Sequence, residues 1–398
     1  MTESHRVEAV DFWRGVVLVA ILCDHVPGNM IDKATPRNFG LSDSAEAFVF
    51  LSGFSIALAF YRRARRSDWP GVARRCLGRA LRIYGVHLGL TLSAIAVFAA
   101  AYAFGAAPSL IEADGRAFVF HDPAHGVLGV AMLTLQLGYF NILPLYVVLV
   151  LFSPTILALA RANIALALAV SVAIYAAARL GLALPNWPEP GTWFFNPFAW
   201  QLIFTIGMAA CVLWRKATIA YSRIFYAVSL ACLVLAAAAV TDAAGLAPGL
   251  RDAAFARLDV FKQTLGLGRL VHFLALAYVI AMTPGLSAAS RTSLGGEFQR
   301  LGRHSLAVFA FGSQLACVGQ AALAAGQTHF STGLPIVGLL YTAFAIIGLF
   351  LFARYLEWND STANRRRLDS AGQIISARLP AFWRASHSLS RLLRPVRR

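Results

Sequence analysis

An apolar run that begins at Val10 ends on Asp24-His25, and Arg14 lies eleven residues before that histidine. At about 100° per residue, eleven helical steps bring Arg14 and His25 within about 20° of one another, about 16 Å apart along the axis. One stripe thus carries a cation at one depth and a titratable base further in. A neutral imidazole can take a proton from a hydroxyl, which is general-base chemistry. Ionisable groups at membrane depth are costly and mark a working site. The plainer alternative is a pair of helix-end residues reaching to the two interfaces.

Carboxylates follow at once, in Thr35-Pro36-Arg37-Asn38-Phe39-Gly40-Leu41-Ser42-Asp43-Ser44-Ala45-Glu46. Ser42 suits the N-cap of a second helix, with Asp43 and Glu46 three apart near its positive end. Capping alone explains Asp43. Glu46 stands just before Phe48-Val49-Phe50-Leu51 and is harder to dismiss. Either acid would stabilise a charged imidazole. Asp24 adjoins His25, but neighbours on a helix do not face each other. The spacing leaves the orienting partner open.

A third group is cationic. Arg62, Arg63, Arg65, Arg66, Arg74, Arg75, Arg79 and Arg82 crowd the segment after the second apolar run. Arg79 and Arg82, three apart where a helix starts, make a two-pronged anion clamp, with Arg75 one turn before. Membrane topology needs fewer charges than this. The excess points to a polyanionic ligand such as a nucleotide phosphate.

The elements that must position these groups are membrane helices. Of 398 residues, 58% are hydrophobic and only 14% charged, which excludes an ordinary soluble domain. Ten runs are long enough to cross: 10–26, 42–60, 84–106, 142–160, 164–184, 198–214, 224–245, 268–284, 304–325 and 332–354. An eleventh, 127–138, is short and suits an interfacial or re-entrant segment. The first run has no cleavage pattern after it and reads as an uncleaved span. With ten spans and both ends cytoplasmic, most of the 35 Lys and Arg residues fall on the inner side. The net charge of +16 therefore reflects topology and anionic lipid rather than nucleic acid. The fold class is all-α, a polytopic membrane protein. Residues 1–356 form the membrane domain and 357–398 a basic amphipathic tail, with Ile375, Leu379, Phe382 and Trp383 on one side.

Other signals are weaker. The five cysteines have no paired or metal-ligand spacing. In His121-Asp122-Pro123-Ala124-His125 the proline spoils helical ligand geometry and no third ligand is near, so no metal is expected. The segment from Asn186 to Phe195 is an aromatic loop suited to the interface or to stacking on a sugar. Paired broken helices of the inverted-repeat transporter kind are not evident, which counts against a carrier.

Asp11-Phe12-Trp13-Arg14-Gly15, Cys23-Asp24-His25-Val26-Pro27-Gly28-Asn29, the Arg37–Glu46 stretch and Phe48-Val49-Phe50-Leu51-Ser52-Gly53 together resemble the OpgC family. These are membrane succinyl transferases of osmoregulated periplasmic glucans, within the acyltransferase-three superfamily. Leu301-Gly302-Arg303-His304-Ser305-Leu306 is similar to a later superfamily pattern. The resemblance implies an enzyme of the bacterial inner membrane. Arg14 and His25 would be its functional pair, and Arg79 and Arg82 the acyl-CoA contact. Arg75, Arg37 and Asn38 join the substrate-binding set, and Asp24, Asp43 and Glu46 the catalytic set around His25.

The expected reaction carries a short acyl group, succinyl by family, from cytoplasmic acyl-CoA to hydroxyls of a periplasmic glycan. His25 is the general base, and acyl-CoA is a co-substrate rather than a resident cofactor. A two-step route through Ser52 or Ser55 is the lesser chemical variant. The competing class is a proton-coupled glycan or lipid carrier without acyl transfer. The oligomeric state is not written in the sequence.

Overall fold

The structure is a computed structural model that describes residues 8–65, 68–216, 219–241, 249–327 and 334–378. The described chain is helical almost throughout. Its first half runs α1 (Glu8–His25), α2 (Ser44–Arg65), α3 (Trp69–Ala103), α4 (Ser109–Glu112), α5 (Ala117–His121), α6 (Pro123–Ala131), α7 (Ile142–Ala162) and α8 (Ile164–Arg179). Next come α9 (Pro197–Arg215), α10 (Arg223–Thr241), α11 (Leu250–Arg257) and α12 (Leu267–Met282). The last four are α13 (Pro284–Ala289), α14 (Ser293–Arg303), α15 (Ser305–Gln327) and α16 (Leu334–Arg378).

Each of the ten apolar runs falls on a helix: α1, α2, α3, α7, α8, α9, α10, α12, α15 or α16. Among the described residues, seven helices are long and apolar enough to cross a membrane: α2, α3, α7, α9, α10, α15 and α16. The other three differ for legible reasons. α8 and α12 have 16 residues each, and α1 carries Glu8, Asp11, Arg14 and Asp24 within its 18. Helix starts are set by side chains that satisfy free amides. Asp68 accepts from Gly71 N ahead of α3, Asn163 from Ala165 N ahead of α8, and Asn196 from Phe198 N ahead of α9.

Two crossings depend on glycine. A Cβ on Gly15 would meet the Phe298 carbonyl oxygen at 2.0 Å, and one on Gly302 the Asp11 carbonyl oxygen at 1.8 Å, so α1 and α14 pack backbone to backbone. The same reciprocity joins α2 and α9, through Gly53 against Phe204 and Gly207 against Phe50. The amphipathic α14 thereby stays pressed on the first helix, and α2 on α9.

The short run 127–138 does not form one helix. α6 ends at Ala131, whose carbonyl accepts from Tyr84 Oη at 2.8 Å. On either side of that dip the chain lies further along α3. Arg116 stacks 4.3 Å from the Phe98 ring, and Gly138 N donates to Asp114 O at 2.9 Å. Phe98 is fourteen residues, about 21 Å, beyond Tyr84 on that helix. The segment therefore descends beside α3 and climbs back to the end it left, as a re-entrant element does.

Backbone contacts divide the chain into two units, Met1–Phe350 and Leu351–Arg398. In the second, helix continues to Arg378, and the Tyr355 and Trp358 rings lie 6.4 Å apart. The amphipathic pattern read from Ile375, Leu379, Phe382 and Trp383 concerns side chains outside the described residues.

Candidate active site

The loops joining α1 to α2, α3 to α7, α8 to α9 and α10 to α12 meet at one end of the bundle around a cleft of about 470 Å³. Its lining includes Asp24 and His25 from α1, Arg37 and Asp43 from the next loop, and Asp114, Gln136, Tyr139 and Asn141 from the re-entrant connection. Glu189, Phe194 and Phe195 come from the aromatic loop, and Lys262 from the α11–α12 loop. The volume suits a small-molecule site, and the polar lining suits a hydroxylated ligand.

His25 is the last residue of α1 and is half-buried. Its carbonyl accepts from Gln320 Nε2 at 3.0 Å, and its ring lies 4.0 Å from that of Tyr139, inclined by 38°. Asp24 does not turn towards that ring. Its Oδ1 accepts from Thr35 Oγ1 at 2.5 Å and pairs with Arg37 Nε at 3.3 Å. Arg37 also holds Asp32 at 2.9 Å, and Asn38 Nδ2 donates to Asp32 O at 2.7 Å. Arg37 and Asn38 thus fold the α1–α2 loop over the end of α1. Arg37 faces the cleft as well, whereas Asn38 serves the loop.

The two acids before and within α2 have separate duties. Asp43, not Ser42, caps the helix: Oδ1 accepts from Ala45 N at 2.8 Å, while Glu46 Oε2 accepts from Asp43 N at 2.9 Å. Asp43 is thus an N-cap bonded to the N2 amide, and Glu46 reaches back from N3 as in a capping box. Ser42 is taken by a tertiary contact instead, its Oγ hydrogen-bonded to His272 Nδ1 at 2.7 Å. Glu46 is wholly enclosed and pairs with Arg269 Nε at 2.6 Å. Arg269 Nη2 reaches Asp43 Oδ2 at 2.8 Å, and Lys262 Nζ reaches the same oxygen at 2.6 Å. Burial alone would raise the pKa of Asp43, which precedes the span; Lys262 and Arg269 outweigh that and hold it well below the usual carboxylate range. The loop bearing Lys262 is fixed by Trp200 Nε1 donating to Lys262 O at 3.0 Å and Tyr175 Oη to Leu265 O at 2.8 Å.

Residues 6–361 match the protein family described as OpgC protein. The chain belongs to the OpgC family. Neither a curated protein nor a solved structure gives a significant match.

In this OpgC protein Arg37 lines the cleft, whereas Arg14, Arg75, Arg79 and Arg82 lie away from it. α3 spans about 52 Å, more than a bilayer core of about 30 Å. Arg79 is 24 residues from its cleft-side end, about 36 Å along the axis, with Arg75 and Arg82 exposed on the same stretch. Between the two ends, Arg14 of α1 is buried, and both Arg14 and Arg79 lie within electrostatic reach of the Tyr146 hydroxyl on α7. Arg14 and His25 therefore do not share one pocket. The two histidines of the 121–125 stretch take separate acids, His121 with Glu112 and His125 with Asp122, each at 2.7 Å.

Sequence reasoning missed Tyr139, Lys262 and Arg269. Arg269 and His272, three residues apart inside an apolar run, carried the usable signal: ionisable groups at membrane depth. Tyr139 and Lys262 stand in loops and offered none.

Proposed function

We propose that this OpgC-family protein is an O-acyltransferase of the bacterial inner membrane. It moves a short acyl group, succinyl by family expectation, from cytoplasmic acyl-CoA to hydroxyls of a periplasmic glucan. The observation that carries the reading is the division of chemistry along the bundle. A half-buried imidazole opens on a polar cleft at one end, Arg75, Arg79 and Arg82 stand at the other, and Arg14 and Tyr146 lie between.

In this reading the donor's phosphates rest on the α3 arginines and its thioester reaches the His25 end. A sugar hydroxyl enters the cleft from the periplasm. His25 takes its proton as the oxygen attacks the thioester carbonyl, and the thiolate leaves and is protonated. Tyr139 packs against the imidazole at the wall of the cleft. Asp43, fixed between Lys262 and Arg269, contributes a negative charge near the imidazolium that forms. The Arg37–Asp24 pair anchors the loop above it.

The test is mass analysis of periplasmic glucans from cells lacking the protein, complemented with the native chain or with His25→Ala. Acylated glucan should return only with the native chain. Normal acylation by His25→Ala at equal protein level would remove the proposal. Purified protein that turns over no acyl thioester but moves glycan under a proton gradient would favour the carrier reading instead.

A further inference from the structure

Two side chains in the middle of α3 have no hydrogen-bond partner among the described residues. His87 and Thr91 are both 0% exposed, and among the described residues neither ring nitrogen of His87 nor the Thr91 hydroxyl makes a hydrogen bond. Other histidines are provided for: His272 bonds Ser42, His121 Glu112, and His125 Asp122. Thr241, Thr283 and Thr342 bond the carbonyl four residues back, as helical threonines commonly do. Thr91 forgoes even that. An enclosed polar group left unmet is costly and rare, so two of them one turn apart need a reason.

Their depth supplies it. On α15, Gln314 donates to Leu90 O at 2.9 Å and also bonds Ser93 Oγ, while Gln320 donates to His25 O. Those glutamines are six residues, about 9 Å, apart along the helix axis. Thr91 is thus about 8 Å, and His87 about 13 Å, deeper than the catalytic histidine. A small void between Thr91 and the cleft is lined by Ala94, Phe98, Cys317, Gln320 and Tyr139. His87, Thr91, Ala94 and Phe98, at i, i+4, i+7 and i+11, form one buried stripe of α3 that leads to the void and on to the ring packed against His25.

We propose that His87 and Thr91 bind the two amides of the donor's pantetheine arm. This rests on the acyl-CoA reading above. The arm carries two secondary amides joined by a β-alanine spacer, about 5 Å apart when extended. His87 and Thr91 are separated by about 6 Å of helix rise. Each amide offers one N–H and one C=O. A neutral imidazole and a hydroxyl each both donate and accept, so they answer that pattern without placing a charge in the membrane. Arg79, eight residues before His87, then lies on the phosphate side of the arm.

The experiment measures binding to the full-length protein in nanodiscs, using CoA and adenosine 3′,5′-bisphosphate, which lacks the arm. His87→Leu and Thr91→Val should each weaken CoA about tenfold and leave the bisphosphate unchanged. Unchanged CoA affinity in both variants would overturn the assignment and leave a buried water as the partner. Equal weakening of both ligands would overturn it as damage to the fold. Native protein that binds neither ligand would remove the acyl-CoA reading itself, and this inference with it.

Discussion

The ring of His25 rests on that of Tyr139, centroids 4.0 Å apart. Tyr139 is the middle residue of a single 3-10 turn, Gly138–Phe140, tied back through Gly138 N to Asp114 O at 2.9 Å. A rigid turn from the re-entrant connection therefore sets the plane of the proposed base, where a carboxylate partner was expected.

The contact is through ring faces, so Tyr139→Phe should keep kcat within about threefold. Tyr139→Ala frees the imidazole and should lower kcat by about 10²-fold, the scale of a 1 Å misplacement. Steady-state transfer with purified protein measures both. Equal loss in the two variants would show that the hydroxyl, rather than stacking, matters.

Arg269 bonds both Asp43 and Glu46, and Glu46 is wholly enclosed. Arg269→Met leaves a buried carboxylate without its cation and should destabilise by about 3–5 kcal/mol. The double variant Arg269→Met with Glu46→Gln should recover part of this. Thermal unfolding in nanodiscs reads the difference, and a double variant as weak as the single would refute the pairing argument.

Lys262 and Arg269 depress the pKa of Asp43 in the folded protein. A depressed carboxyl adds stability that is complete above its unfolded value, about 3.9. That stability is lost as pH falls below this value towards the folded one. Melting temperature should therefore drop on going from pH 7 to pH 3.5, and Lys262→Met should make the drop shallower. An identical pH profile in the variant would exclude Asp43 as a source.

Gly302 meets the Asp11 backbone so closely that any side chain must push α14 off α1. Gly302→Val should cost at least about 1–3 kcal/mol and lower the yield of folded protein. Gly296 has nothing within 4 Å of its added Cβ, and Gly296→Ala should be tolerated. Size-exclusion profiles of the two variants test the contrast.

Much of the helical plan was legible because apolar runs in lipid have few alternatives. Ionisable groups inside such runs also flagged His25, Glu46 and Arg14. Pairing was less accessible. Ser42 and Asp43 are both competent caps, and only the arrival of His272 decides which is free to act. Asp24 turned to Arg37 because the loop doubles back, a tertiary fact with no local spacing to report it. The partners of Asp43 and Glu46 lie more than two hundred residues later, beyond the reach of any motif.

That separation bears on how the protein is made. Asp43 leaves the ribosome 219 residues before Lys262 and 226 before Arg269. At about 5–20 residues per second, the newly inserted second helix holds its acids without these cations for about 10–45 s. A nascent chain stalled before the twelfth helix keeps them so, and the pairing of Asp43 and Glu46 closes only once α12 has been made.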